Sequence, residues 1–152
     1  MEKGNGAIVI SRKKLSEDIV YDLLLTLDPS FAKNLSEEVN IKAYSLKLAE
    51  HANFEVADIS NAVGGVIAFY ENDKELYIPY VCVNVSKRRM GVADLLLGSI
   101  CRYADSIGKP VSLEVVVSNV GARNLYEKHG FKITHCGKAK FSMTRPYHPI
   151  HV

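Results

Sequence analysis

Residues 83–97, VNVSKRRMGVADLLL, constrain the fold more than any other stretch, because they read in succession as a strand end, a basic turn and a helix start. Val83 and Val85 alternate with polar Asn84, as in a strand. From Val92 onward, apolar residues at 92, 95, 96, 100, 103 and 107 keep helical spacing, and Gly108 with Pro110 supplies a stop. Between the two lies Arg88-x-x-Gly91-x-Ala93. A helix start leaves backbone N–H groups without intrahelical acceptors and carries the positive end of the helix dipole. The lack of bulk at Gly91 and Ala93 lets an anion reach those donors, and Arg88 and Arg89 add positive charge at the mouth. Taken alone, the stretch also fits an ordinary strand-to-helix turn with a solvated basic loop. It is neither a Gly-x-Gly-x-x-Gly fingerprint nor a Walker loop.

The bulk composition narrows the partners. A chain of 152 residues, 47% hydrophobic and 24% charged, suits one soluble domain with a sizeable core. A formal charge of +2 is too small to argue for nucleic acid or a membrane surface, and Arg12-Lys13-Lys14 reads as a solvated corner. No apolar run has the length of a membrane span, and residues 1–6 lack the pattern of a signal peptide, so a cytoplasmic protein is expected. Cys82, Cys101 and Cys136 are then expected as reduced thiols. With no Cys-x-x-Cys and no His-x-x-x-His, no metal is expected.

In chain order, residues 7–10 predict a first strand, and 11–27 a helix with Ser16 as cap and Ile19, Leu23 and Leu27 on one face. Asp28-Pro29-Ser30 ends that helix. A second opens at Asn34 or Ser36 and runs to about His51, with Ile41, Tyr44 and Leu48 on one side. Strands over 53–59 and 63–70, separated by Ser60-Asn61 and followed by a polar turn at 71–74, predict antiparallel hairpins. Residues 76–85 form the longest apolar run, which suits a central strand. Pro79 within it cannot donate to a ladder, so it marks either an edge strand or a bulge where a central strand parts from its neighbour. Residues 111–117 predict a strand, and 119–129 a helix capped by Asn119 and stopped by Gly130, with Ala122, Leu125 and Tyr126 on one face. A hairpin over 131–136 and 140–144, around Gly137, closes the chain. The order β-α-α-β-β-β-α-β-α-β-β predicts a single α/β (α+β) domain.

Two segments, Val83-x-Val85-x-x-Arg88-x-x-Gly91-x-Ala93 and Asn119-x-x-Ala122-x-x-Leu125-Tyr126-x-x-x-Gly130-Phe131, together resemble the GNAT superfamily of acyl-CoA-dependent N-acyltransferases. The resemblance covers nearly the whole chain. It implies one acyltransferase domain over 1–152, with a mixed central sheet, a splayed or bulged central strand and about four flanking helices. Acetyl-CoA would be the co-substrate. Its pyrophosphate would sit on backbone N–H groups from Arg89 through Met90, Gly91, Val92 and Ala93 to Asp94, with the Arg88 or Arg89 side chain as a further anchor. The pantetheine arm would run along Val83 and Val85, and Asn119 would hydrogen-bond its amides, with Arg123 one turn further on. Tyr126 would stand by the thioester sulfur and protonate the leaving thiolate, whereas the helix's apolar face alone makes it a core aromatic.

Many relatives carry a glutamate in the central strand as general base. Here that strand offers Tyr77 and Tyr80, while Glu114 lies on the next strand, so the base is one of these or water. A covalent route through Cys82 lacks a neighbouring histidine. The implied activity is direct acetyl transfer from acetyl-CoA to an amine of a small molecule, an amino sugar included, or of a peptide. The alternative is a non-catalytic acyl-CoA-binding or regulatory module on the same fold. Such folds often pair through their last strands or helices, which leaves a homodimer open.

Overall fold

The structure, a computed structural model, describes residues 7–27, 41–84, 87 and 90–149. Its elements run β1 (Ile8–Lys13), α1 (Glu17–Leu27), α2 (Ile41–His51), β2 (Asn53–Ile59), β3 (Ala62–Glu71), β4 (Leu76–Val83), α3 (Val92–Ile107), β5 (Val111–Val116), α4 (Val120–Lys128), β6 (Lys132–Cys136) and β7 (Lys140–Arg145). This is the α+β order expected from the sequence. The seven strands form one sheet in the order β1-β2-β3-β4-β5-β7-β6. The sheet is mixed, since β4 and β5 run parallel while β1/β2, β5/β7 and β6/β7 are antiparallel. By its internal contacts the chain forms two compact units, Met1–Ala68 with Tyr80–Leu96, and Phe69–Pro79 with Leu97–Val152.

In the first unit, β1 continues to Lys13 where the sequence suggested a helix from residue 11. The cause is non-local: β1 pairs with β2 over six residues, from Ile8↔Ile59 to Lys13↔Phe54. Arg12 lies opposite Glu55, which is 1% exposed, and its guanidinium bonds the carboxylate (Nη2 to Oε2, 3.2 Å). A carboxylate this deep requires such a partner. Helix α1 then starts after Ser16, whose Oγ accepts from the Ile19 N–H at 3.4 Å. Its buried face is Val20, Leu24 and Leu27, one residue round from the predicted Ile19 and Leu23; Ile19 is 48% exposed. The beginning of the second helix and the Asp28-Pro29-Ser30 stop lie outside the described residues. Ser60 and Asn61, both at positive φ, make the two-residue hairpin turn between β2 and β3.

Gly65 sets how closely α3 lies on β3. A Cβ there would stand 3.1 Å from the Cys82 carbonyl oxygen, 3.1 Å from Val92 Cγ1 and 3.2 Å from Leu96 Cδ1. Gly65→Ala is therefore expected to overpack this contact by about 1–3 kcal/mol, measured as a fall in the thermal midpoint. The buried residues of α3 are Val92, Leu96, Leu97, Ile100, Cys101 and Ala104, whereas Leu95, expected inside, is 44% exposed.

In the second unit, the β4–β5 ladder spans Leu76↔Val111, Tyr77↔Ser112 and Ile78↔Leu113, and it stops at Pro79. Strand β4 is internal in the sheet order, so the edge-strand reading of Pro79 fails. Its burial alternates residue by residue from Leu76 to Val83, so the strand's facing stays regular through the proline. Strand β7 pairs with β5 from Val111↔Arg145 to Val116↔Lys140, which puts it between β5 and β6. At the β6–β7 turn a Cβ on Gly137 would lie 2.7 Å from the Lys140 carbonyl oxygen, which explains the glycine. Arg145 ties β7 to α3 and α4: it grips Asp105 with both Nη atoms at 2.9 Å and donates from Nε to the His129 carbonyl at 3.1 Å.

Candidate active site

Of the turn before α3, the structure describes Lys87, Met90 and Gly91. Gly91 sits at φ +79, a left-handed conformation that favours glycine, and its carbonyl accepts from the Leu95 N–H at 3.1 Å to begin the helix ladder. The amides of Val92 and Ala93 precede that first bond, so helix geometry gives them no partner four residues back. Among the described residues, and its chain neighbours apart, a methyl added at Gly91 would meet no heavy atom within 4 Å. Met90 and Gly91 are exposed, and Ala93 and Asp94 are half-buried. Val92 is 1% exposed with its side chain packed by Gly65, so only its backbone can serve a ligand. Val83 is half-buried at the end of β4. The chain leaves β4 through an Asn84 N–H bond to the Gly64 carbonyl (2.8 Å) and a Lys87 N–H bond to the Asn84 carbonyl (2.8 Å). Val85, Arg88 and Arg89 lie outside the described residues.

The second motif is a capped helix ending in an aromatic lock. The Asn119 side-chain oxygen caps α4 by accepting from the Ala122 N–H at 3.2 Å. At the other end Gly130, at φ +93, lets the chain double back, and the Phe131 N–H returns to the Tyr126 carbonyl at 3.0 Å. The Phe131 ring then packs on Tyr126 with centroids 5.8 Å apart and planes tilted by 55°. Tyr126 is 8% exposed, and burial raises its phenol above the ordinary value of 10, so the hydroxyl keeps its proton. Arg123 donates to the Val117 carbonyl at 3.0 Å and lies over the Phe141 ring at 4.9 Å, which commits it to bracing the β5–α4 turn.

The base candidates separate by sheet face. Tyr80 and Cys82 lie on the buried side of β4, at 6% and 5% exposure, and Tyr77 on the other. Burial first, then the charges of Glu114 and Glu75, raises the Tyr77 phenol above its usual value. Glu114 is exposed on β5, opposite Ser142 of β7. The hydroxyl of Tyr70, a residue no sequence motif marks, is buried without a hydrogen-bond partner among the described residues, and its charge also acts on Tyr77. The three cysteines carry no disulfide, and burial pushes the Cys101 thiol up to about 11. Among the described residues, no group of His, Cys, Asp and Glu could hold a metal, and no helix is long and apolar enough to cross a membrane.

Residues 19–131 match the model of the acetyltransferase (GNAT) family. The chain belongs to the GNAT acetyltransferase family. Solved structures with the same GNAT fold include the PaiA N-acetyltransferase of Thermoplasma acidophilum in complex with coenzyme A. It is 16% identical with a TM-score of 0.71, covering 91% of this chain and 99% of that one. A GNAT family acetyltransferase from Elizabethkingia anophelis with acetyl-CoA bound is 21% identical (TM-score 0.70), covering 95% and 99%. The IAA acetyltransferase of Bacillus cereus is also 21% identical (TM-score 0.69), covering 91% and 99%. At these identities the likeness speaks for the fold. No curated protein matches the chain in sequence.

Proposed function

We propose that this GNAT chain, acting as one domain over 1–152, transfers an acetyl group from acetyl-CoA to the amine of a small-molecule or peptide acceptor. The observation that carries this reading is the start of α3, where Gly91 at positive φ is followed by first-turn amides with no acceptor four residues back, a donor set of the kind that holds an anion. In the proposal, amides from Arg89 to Asp94 hold the pyrophosphate, and the Arg88 and Arg89 side chains add charge. The pantetheine arm pairs with the backbone of Val83 and Val85. Asn119 spends its side-chain oxygen on the helix cap, which leaves its NH₂ group to donate to the arm. Two relatives of the same fold were solved with coenzyme A or acetyl-CoA, which supports that choice of co-substrate.

In the reaction, the amine nitrogen attacks the thioester carbonyl carbon, and the tetrahedral intermediate collapses with loss of the thiolate. The protein supplies position and fixed donors, which can contribute several kcal/mol. Tyr126 donates its O–H to the sulfur as charge builds there.

Acetyl-CoA titration by calorimetry, paired with thiol release over a panel of amines, tests the reading. Binding with amine-dependent release is expected. Binding without release from any amine favours the non-catalytic module, and absence of binding rejects both. Gly91→Val puts a branched side chain at a left-handed position next to the first-turn amides of α3. It is expected to weaken acetyl-CoA binding at least about tenfold, with the cost of the backbone strain (roughly 1–2 kcal/mol) visible separately in the thermal midpoint.

A further inference from the structure

The hydrogen bonds of Arg145 end on the turn of helix that carries Tyr126. Helix α4 has nine residues, and Tyr126 stands in its last turn, where backbone carbonyls run out of intrahelical donors. The Tyr126 carbonyl is answered by the His129 and Phe131 N–H groups, each at 3.0 Å, and the Glu127 carbonyl by the Gly130 N–H at 3.0 Å. The next free carbonyl, that of His129, is taken by Arg145 Nε at 3.1 Å. The Arg145 stem crosses the Gly130 turn itself, since a Cβ on that glycine would stand 3.7 Å from Arg145 Cγ and 3.8 Å from Nε. At its far end the guanidinium meets both oxygens of Asp105 at 2.9 Å, a fork that fixes its plane and so the direction of the Nε–H. Both anchors are firm: Asp105 follows the fully buried Ala104 on α3, and Arg145 pairs in β7 with the fully buried Val111 of β5. A cation at the end of a helix also suits its dipole. Every residue of this clamp belongs to the unit made of Phe69–Pro79 and Leu97–Val152.

We infer that Arg145 is a positioning residue: its guanidinium, locked by Asp105, holds the end of α4 so that the Tyr126 hydroxyl is aimed at the departing sulfur. The inference rests on the Tyr126 role in the acetyltransferase reading above, and it adds a residue that no motif marks. Arg145 acts through Tyr126 and donates nothing to the reacting atoms. A phenol is aimed by the backbone that carries it and by the ring it packs on. Phe131, 1% exposed, supplies the ring contact, and Arg145 secures the backbone where helix ends otherwise fray. Misplacement by about 1 Å can cost 10²-fold in rate, so loosening this turn shows in kcat before it shows in binding.

Arg145→Lys keeps the charge but loses the Nε–H and the planar fork. The test measures its kcat in the wild-type and the Tyr126→Phe backgrounds, well below each thermal midpoint and per folded molecule. In the wild-type background a fall of about tenfold is expected, at unchanged acetyl-CoA affinity, and a thioester with a less basic leaving thiol should narrow it. In the Tyr126→Phe background no hydroxyl is left to aim, so the further loss should stay under about twofold. If Arg145→Lys does not fold, Asp105→Asn carries the same comparison, because it unlocks the guanidinium while leaving the Nε–H in place. An equal loss in both backgrounds, or no loss in a folded variant, overturns the positioning role and leaves the acetyltransferase reading standing. An undiminished kcat in Tyr126→Phe alone overturns the role of Tyr126 and this inference together.

Discussion

Tyr126→Phe is expected to lower kcat by about 10²- to 10³-fold, with acetyl-CoA affinity and thermal midpoint nearly unchanged. The ring survives the substitution, so its packing on Phe131 and the α4 stop built on Gly130 are retained. Only the O–H is lost. A phenol raised by burial is a weaker acid than an alkyl thiol, so full transfer to the thiolate is uphill. In the proposed reaction the hydroxyl would therefore act as a hydrogen-bond donor to the departing sulfur, with solvent completing the protonation. A thioester with a less basic leaving thiol should narrow the gap between variant and wild type. Steady-state kinetics with both thioesters decide it, and an undiminished kcat in the variant would leave Tyr126 as a core aromatic.

The largest expected change in stability is at Asp105. Its carboxylate takes both Nη atoms of Arg145 at 2.9 Å and the His148 N–H at 3.0 Å, and both side chains are largely covered, at 14% and 11% exposure. Asp105→Asn leaves the guanidinium half-answered in a poorly hydrated place, at a cost of about 2–4 kcal/mol. For a chain of this size that is a fall in thermal midpoint of roughly 5–15 °C. The Arg145 hydrogen bonds hold the Asp105 carboxyl below the usual carboxylate range. The stabilisation is thus complete above the unfolded value near 3.9, and it disappears as pH falls through the lower folded value. Melting curves of wild type and variant should lie apart at neutral pH and converge in strong acid. A constant gap down to the lowest pH would show that ionisation of Asp105 is not its source.

What the sequence made legible is what depends on neighbours along the chain. The Gly91 turn, the Asn119 cap and the Gly130 stop each rest on a few consecutive residues, and each stands where the pattern put it. On helix α1 the expected face holds at Leu27 but lies one residue out of phase at Ile19 and Leu23, because EDIVYDLLLTL is apolar on more than one side and its period does not choose a face. Strand β1 runs past the expected helix start because its partner β2 lies more than forty residues away. The insertion of β7 between β5 and β6, the Asp105–Arg145 pairing across forty residues and the shared face of Tyr77 and Glu114 follow from register alone. Family resemblance supplied the roles of the acyl-donor residues.

At the root of the proposed function lies anion capture by the bare amides that follow Gly91. The most direct measurement is a crystal structure with coenzyme A bound. The expected result is a pyrophosphate oxygen about 3 Å from the backbone nitrogens of the Gly91–Ala93 turn. A bound coenzyme whose pyrophosphate rests elsewhere, with those amides facing solvent, would contradict it.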